Sequence, residues 1–386
     1  MGLDSRPRAQ VRAGPAARLR SWLRRERLLL LFGGVALVLG VLDPAPRTRW
    51  IEWLQAPTLL GLFALLVSIE GIRASGAVQR AAGVLARRAR TQRALALQLV
   101  LAAALSSMLL TNDVSLFLVV PLTVALGRGT ELPVLRLVIL EALAVNAGST
   151  LSPVGNPQNL LLWRHSGLSM PMFAWHMLPA AAVMLALLVL TVCMLVPGRA
   201  LRVGGDGAVA MPPLRGRLGA VSALLLGCVL VLLQTGRAGL AALLVLGVFA
   251  LAWREVLRRV DWGLLGTLAA MFVGLGHLAQ WPPLQAWLLR VDWHQPQVAY
   301  LGGVLLSQLL SNVPASVLLW PQTGHATALA VAVDVGGFGL ALGSLANLIA
   351  LRLHGGHGSL REFHRISVPF LLVCAPLVWL VQRALG

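Results

Sequence analysis

No lysine occurs anywhere in the 386 residues; all 32 basic side chains are arginine. Codon usage in a GC-rich genome explains that bias before any recognition role does. Acids are scarce too, 14 against 32 bases, which leaves a net charge of +18. In a soluble protein that charge would suggest nucleic acid, but no aromatic-interleaved basic face or nucleic-acid motif accompanies it, so no nucleic-acid partner is expected. The three cysteines, Cys193, Cys228 and Cys374, lie singly in apolar runs, without the spacing of a metal or redox site. Missing as well are a His-Glu-x-x-His helix, a Gly-x-Ser-x-Gly turn and a matched pair of protease-like aspartates. An intramembrane enzyme is left only an aspartyl pair formed by Asp113 and Asp334 across the two halves of the chain. No catalytic residue and no metal centre are assigned.

What is abundant is apolar surface. Hydrophobic residues make up 58% of the chain, in several runs near twenty residues, the mark of an all-α polytopic membrane protein embedded in a lipid bilayer. The first 27 residues carry eight arginines, and the following apolar run ends in Asp43-Pro-Ala-Pro46 without a small-x-small cleavage site. A basic cytoplasmic tail (1–27) and a retained first helix are therefore expected.

Two polar stretches interrupt the apolar pattern, and each has an echo. Leu109-Leu-Thr-Asn-Asp-Val114 aligns on Leu309-Leu-Ser-Asn-Val-Pro314, pairing Thr111 with Ser311 and Asn112 with Asn312 at an offset of 200. The stretch Asn146 to Asn159 aligns on Asp334 to Asn347 at an offset of 188. That pairs Asn146 with Asp334, Gly148 with Gly336, Gly155 with Gly343 and Asn159 with Asn347, and beyond them Arg164 with Arg352. An internal duplication building one central site follows from this reading.

The first repeat is set at 28–197 and the second at 218–386, joined by a Gly/Pro-rich cytoplasmic linker, 198–217. Residues 94–127 offer two apolar arms of about fifteen residues, broken at Thr111-Asn112-Asp113 and flanked at both ends by arginine. They read as a re-entrant hairpin whose tip lies near the membrane midplane. Residues 133–164 form a helix broken in the middle by two prolines and two glycines. The second half repeats the plan with a hairpin at 299–321 and a broken helix at 325–351. Glu52-Trp53 and Asp261-Trp262 open equivalent spans that cross in opposite directions, so the repeats are inverted. The expected total is about nine spans plus two hairpins. This topology leaves only Arg47, Arg49, Arg164, Arg237, Arg290 and Arg383 outside and 26 of the 32 arginines inside, as the positive-inside rule requires. Two readings are open for residues 73–93: a surface amphipathic helix or an inside loop. Trp281, Trp293 and Trp320 are expected as interface anchors.

Ionisable groups at membrane depth are costly and mark function. Asp113 at the first tip and Asp334 just ahead of the second break are candidates for cation binding or proton exchange, against structural capping. Glu141 is a coupling candidate or a packing contact between helices. Thr111, Asn112, Asn146, Ser149, Thr150, Asn156, Asn159, Ser311, Asn312, Ser344 and Asn347, with Gly155 and Gly343, offer oxygens, amides and unwound backbone to an ion, against ordinary capping. Unwound carbonyls ligate cations and helix N-termini hold anions, so paired elements of this kind could hold a small anion with its co-transported cation.

Thr111-Asn112-Asp113-Val114, Gly155-Asn-Pro-Gln-Asn159, Asp261-Trp262, Ser311-Asn312-Val313-Pro314 and Gly343-Ser-Leu-Ala-Asn347 together resemble the ion transporter superfamily. More narrowly they resemble its ArsB/NhaD-type permeases, and most of all the YbiR-like group. The resemblance implies two inverted repeats, a homodimer and elevator-like movement of the site. It further implies secondary transport of a small inorganic or carboxylate anion with H⁺ or Na⁺ as coupling ion and no other cofactor, Na⁺ lying near Asn112 and Asn312. Arsenite or antimonite efflux and Na⁺/H⁺ antiport are the alternatives among relatives. The chain departs from its carboxylate-carrying relatives, which have Ser-Asn-Thr at both tips. It also has Asn156-Pro-Gln-Asn159 where arsenite and Na⁺/H⁺ members have Asp-Pro-Pro-Asn, which weakens pure cation exchange.

Overall fold

The computed structural model describes residues 26–44, 46–128, 130–202, 213–355 and 359–385. All but the last two residues of the expected tail, and the middle of the 198–217 linker, fall outside these. Among the described residues the chain is all-α, with one isolated bridge from Thr91 to Ala200 and no strand.

The first half contains α1 (Arg27–Leu42), α2 (Arg47–Trp53), α3 (Ala56–Ala74), α4 (Ala77–Arg88), α5 (Gln92–Leu109), α6 (Asn112–Gly127), α7 (Val134–Ser149), α8 (Pro157–Ser166) and α9 (Met170–Leu195). The second contains α10 (Gly216–Gln234), α11 (Ala238–Ala252), α12 (Arg254–Arg259), α13 (Trp262–Ala279), α14 (Pro282–Leu288), α15 (Pro296–Leu310), α16 (Asn312–Thr323), α17 (Ala326–Val335), α18 (Leu345–His354) and α19 (Ser359–Leu385), with a 3-10 turn at Ala341–Gly343.

Six helices are long and apolar enough to cross a membrane, Thr48–Ala74, α5, α9, α10, α13 and α19, and shorter apolar helices accompany them. The protein is a polytopic membrane protein. α1, α9, α11 and α19 turn large apolar side chains outward, among them Leu37, Met194, Leu243 and Leu372, as helices do whose outer face meets lipid. The centre is built differently. α7 is buried at every residue from Leu137 to Ser149, and α17 from Leu329 to Val335. Each is apolar nearly all round and therefore enclosed by neighbours.

Three departures from the sequence reading have local causes. The first hairpin arm is longer than expected: Thr91 caps α5, its hydroxyl accepting from Ala94 N at 3.1 Å, and the helix runs 18 residues. At 1.5 Å per residue that is about 27 Å, long enough by itself to reach across hydrocarbon. α19 starts at Ser359 rather than at the apolar run that opens near residue 367, because Ser-Leu-Arg-Glu-Phe-His-Arg continues the helix with charge on one face. Trp293 is a core residue, 3% exposed, its indole donating to Leu288 O at 2.7 Å. Of the two readings for residues 73–93, the amphipathic helix is present as α4, with Ala82, Gly83 and Ala86 buried and Arg80, Arg87 and Arg88 exposed; it packs on α6.

Candidate polar junction at the broken helices

α5 and α6 pack on each other and turn at Leu110-Thr111, and α15 and α16 do the same at Ser311. The two turns are made differently. Thr111 is extended and its hydroxyl caps α6 at Val114 N, 3.4 Å. Ser311 makes no cap and has φ +71°, a left-handed backbone that costs a non-glycine residue about 1–3 kcal/mol.

Each helix pair holds one broken helix by a glycine. Gly148 of α7 lies on Ala104 and Ser107 of α5, and Gly336 lies on Val304 and Ser307 of α15. Those contacts match at the offsets of 188 and 200 already found in the sequence. α7 continues past Asn146 to Ser149, so the first break spans Thr150–Asn156, later than Asn146 suggested. The chain doubles back there so closely that a Cβ on Gly155 would stand 2.7 Å from Ser149 O, and one on Gly343 stands 2.6 Å from Gly336 O. Pro157 starts α8 at a position where its missing N–H costs nothing. Asn156 caps it, accepting from Asn159 N at 2.8 Å.

The halves then cross. α8 packs on α16 and α17, and α18 packs on α6 and α7. Across that crossing Ser344 Oγ donates to Asn146 Oδ1 at 2.9 Å, and Asn146 Nδ2 donates to Asn347 Oδ1 at 3.0 Å. Asn347 in turn donates to Gly337 O at 2.9 Å. On the other side Asn156 Nδ2 and Gln158 Nε2 donate to Asp334 Oδ1, at 3.2 and 3.0 Å. Asn159 Nδ2 donates to Thr150 O at 3.1 Å, and both Ser149 and Thr150 hydroxyls donate to Asn146 O. The tips join this network: Asn112 N donates to Gly155 O at 2.8 Å, and Asn312 Nδ2 lies 3.3 Å from where a Gly337 Cβ would stand.

Eleven of the thirteen binding candidates, together with Asp334, thus share one buried junction. Thr111 and Ser311 serve at the turns above it. Asp113 sits in the first turn of α6; its Oδ1 is buried and accepts no hydrogen bond among the described residues. No contact joins it to Asp334, so the two do not form an aspartyl pair here. Glu141 is wholly buried on α7 and bonded to the Thr123 hydroxyl of α6, away from the junction. Two residues went unassigned in the sequence. Gln158 reaches Asp334, and Gln308 plugs the second break, donating to Gly336 O at 2.6 Å and accepting from Leu340 N at 2.8 Å. Their partners at the same offsets, Ala346 and Met108, are apolar, so duplication gave no signal. For Gln308 the clue is a glutamine in an otherwise apolar arm.

Among the described residues no three His, Cys, Asp or Glu side chains gather into a metal group. No basic side chain is bonded to the junction either; Arg352, at the end of α18, is held instead by Asp261 (2.7 Å) and Glu26 (2.7 Å).

The family profile CitMHS, described as citrate transporter, matches residues 19–326. The chain belongs to the CitMHS family. Inner membrane protein YbiR of Escherichia coli K12 is 42% identical over 92% of this chain and 94% of its own length. Uncharacterized transporter MJ0456 of Methanocaldococcus jannaschii is 26% identical over 87% of this chain and 91% of its own length. A shorter match, 31% identical over 33% of the chain and 26% of the relative, is to silicon efflux transporter LSI3 of Oryza sativa subsp. japonica. As a CitMHS protein, the chain is a membrane transporter and not an enzyme.

Proposed function

We propose that the protein is a secondary active transporter of a small anion, an inorganic oxyanion or a carboxylate, coupled to H⁺ or Na⁺ and working by elevator-type alternating access. The observation that carries this reading is the junction itself. The N-termini of α6, α8, α16 and α18 all start at the two turns and the two breaks, where their free N–H groups and dipoles favour an anion. The C-termini of α5, α7, α15 and α17 end there too and favour a cation. The matched seats of Gly148 and Gly336 and the crossed packing of α8 and α18 support two inverted repeats, 28–197 and 218–386, each with a re-entrant hairpin and a broken helix. Thr111, Asn112, Ser311 and Asn312 with the break residues line the ion site. Asp113, Asp334 and Glu141, with no basic partner among the described residues, are where a driving cation exchanges. An inner-membrane protein with its N-terminus in the cytoplasm fits the arginine distribution and the inner-membrane relative, and the resemblance to ArsB/NhaD-type permeases adds a homodimer.

The family description names citrate, but three negative charges are poorly served by a junction of amides and helix ends to which no basic side chain is bonded among the described residues. A small anion of low charge suits it better. A second reading, efflux of a metalloid hydroxide such as arsenite, is favoured by the partial match to a silicon efflux transporter. Expression in arsenite-sensitive cells separates the two, since resistance follows only from efflux. Rescue of salt-sensitive cells would point instead to Na⁺/H⁺ antiport. Coupling through Asp113 is tested by Asp113→Asn: loss of ion-driven flux supports it, and an unchanged rate and pH dependence removes it.

A further inference from the structure

The two breaks satisfy their backbone in different ways. In the first, Leu151 N donates to Gly148 O, Ser152 N to Ser149 O, Val154 N to the Ser152 hydroxyl and Gly155 N to Ser152 O, and Pro153 has no N–H to place. That break is closed by its own chain. At the offset of 188 the equivalents of Leu151, Ser152 and Pro153 are Gly339, Leu340 and Ala341, and there all three N–H groups go to side chains of other helices. Gly339 N donates to the Ser367 hydroxyl of α19 at 2.9 Å, Leu340 N to Gln308 Oε1 of α15 at 2.8 Å, and Ala341 N to His364 Nε2 of α19 at 3.1 Å. Gly339 makes the turn with φ +91°, where a side chain would be strained, and a Cβ there would stand 2.6 Å from Gln308 Oε1.

A backbone N–H can only donate, so the Ala341 bond requires a lone pair on His364 Nε2: the imidazole is neutral, with its hydrogen on Nδ1. We propose that Ser367, Gln308 and His364 are positioning residues that clamp the second break to α15 and α19, and that the clamp opens when His364 takes up a proton. Protonation puts a hydrogen on both ring nitrogens. Nε2–H then meets the Ala341 N–H, donor against donor, and the bond is lost; release of the proton to water restores it. Water reaches the clamp, since His364 is half-buried and Leu340 is 40% exposed. The bond belongs to the neutral form alone, so the clamp holds at neutral pH and is lost as pH falls through the range where histidine changes charge, about pH 5–8. The first break has no titratable partner for its N–H groups and keeps its shape. The second break thus answers pH without any proton being carried across. This rests on the transporter reading only for what release of the break does to flux.

Charge around His364 comes from its own helix and from those packed on it or on the break. On α19, Arg361, Arg365 and Arg383 are exposed, and Glu362 pairs with Arg136 of α7 at 3.3 Å and lies 3.9 Å from Arg365. Glu141 of α7 is bonded to Thr123, and Asp334 of α17 accepts from Asn156 and Gln158. Tyr300 of α15 donates to Ala375 O. Arg352 of α18 is held by Asp261 and Glu26, and His354 ends that helix. His176 of α9 is exposed, and Cys193 of α9 and Cys374 of α19 are free thiols.

Amide hydrogen exchange of the full-length protein in lipid nanodiscs, read over residues 337–343 between about pH 7.5 and pH 5 and corrected for intrinsic rates, tests this directly. In wild type, protection should fall roughly two- to tenfold on acidification, the weight of one hydrogen bond. It should not fall in His364→Gln, whose amide oxygen accepts at any pH, and should be low throughout in His364→Ala. The first break, read over 151–155 in the same wild-type samples, should keep its protection. Equal wild-type protection over 337–343 at both ends of the range, or an acid response that His364→Gln retains, would overturn the proposal. Should His364→Gln not fold, His364→Ala decides the same point, because an acid response persisting there cannot come from the imidazole. Exchange is read without substrate, so the two readings fail separately. An intact acid response in a protein that carries no anion removes the anion-transport reading alone, whereas anion uptake without the acid response removes the clamp alone.

Discussion

Asn156 and Asp334, 178 residues apart in the chain, are joined by a 3.2 Å hydrogen bond, and their equivalents at the repeat offset of 188, Ser344 and Asn146, are joined at 2.9 Å. The pair ties the N-terminus of α8 to the C-terminus of α17, and with it one half of the molecule to the other. Asn156 also caps α8. Replacing it with alanine removes the cap, about 0.5–2 kcal/mol, and a donor to a buried carboxylate, about 1–3 kcal/mol. Thermal melts in detergent should place Asn156→Ala about 2–4 kcal/mol below wild type, with Asn156→Ser, which keeps the cap, between the two.

Gly155 and Gly343 are where the breaks fold back against backbone carbonyls rather than flexible side chains. A methyl group at either would have to displace main chain, costing about 1–3 kcal/mol each by overpacking. Gly155→Ala and Gly343→Ala should both lower the melting temperature, whereas Gly227→Ala and Gly247→Ala, whose Cβ positions meet nothing within 4 Å, should not.

Ser311 tests whether strain at the second tip serves function. Glycine relieves about 1–3 kcal/mol of left-handed strain and loses roughly 0.5–1 kcal/mol to chain entropy. Ser311→Gly is expected to melt higher than wild type while ion-driven flux falls, because the serine hydroxyl, 3.5 Å from Asn312 Oδ1, is removed from the tip. A variant that melts lower would show that the tip is not strained.

Arg164 and Arg352 align in sequence but differ in structure. Arg352 is largely buried in a bidentate pair with Asp261, at 2.7 and 2.9 Å, and also reaches Glu26; Arg164 is exposed. Removing one partner of a buried ion pair costs about 3–5 kcal/mol, and an exposed arginine within about 0.5 kcal/mol. Arg352→Ala should therefore destabilise strongly and Arg164→Ala hardly at all. This triad also binds the end of α18 to α1 and α13, which elevator movement would have to release.

Much of this was readable in the sequence because polar residues are expensive in hydrocarbon and so stand out. The Thr111-Asn112-Asp113 and Ser311-Asn312 turns, both breaks and the gathering of Asn146, Asn156, Asp334 and Asn347 follow from that cost. What escaped has physical reasons as well. The length of α5 depended on a Thr91 cap outside the apolar run. Gln158 and Gln308 answer needs of one half alone, Gln158 bonding the Asp334 carboxyl and Gln308 the carbonyl of Gly336, so no duplicate marks them. The fate of Arg352 was set by Asp261 and Glu26, far apart in sequence, and that of Glu141 by Thr123 on the neighbouring arm.

The central claim, that this junction carries a small anion on a cation gradient, is tested most directly by reconstituting the purified protein in proteoliposomes. Na⁺ and pH gradients are imposed separately while uptake of oxyanions, carboxylates and arsenite is followed. A small anion of low charge accumulating against its own gradient, with one of the two cation gradients alone sufficient, is the predicted result. Proton movement that answers Na⁺ with no anion required would contradict it and make the protein an antiporter.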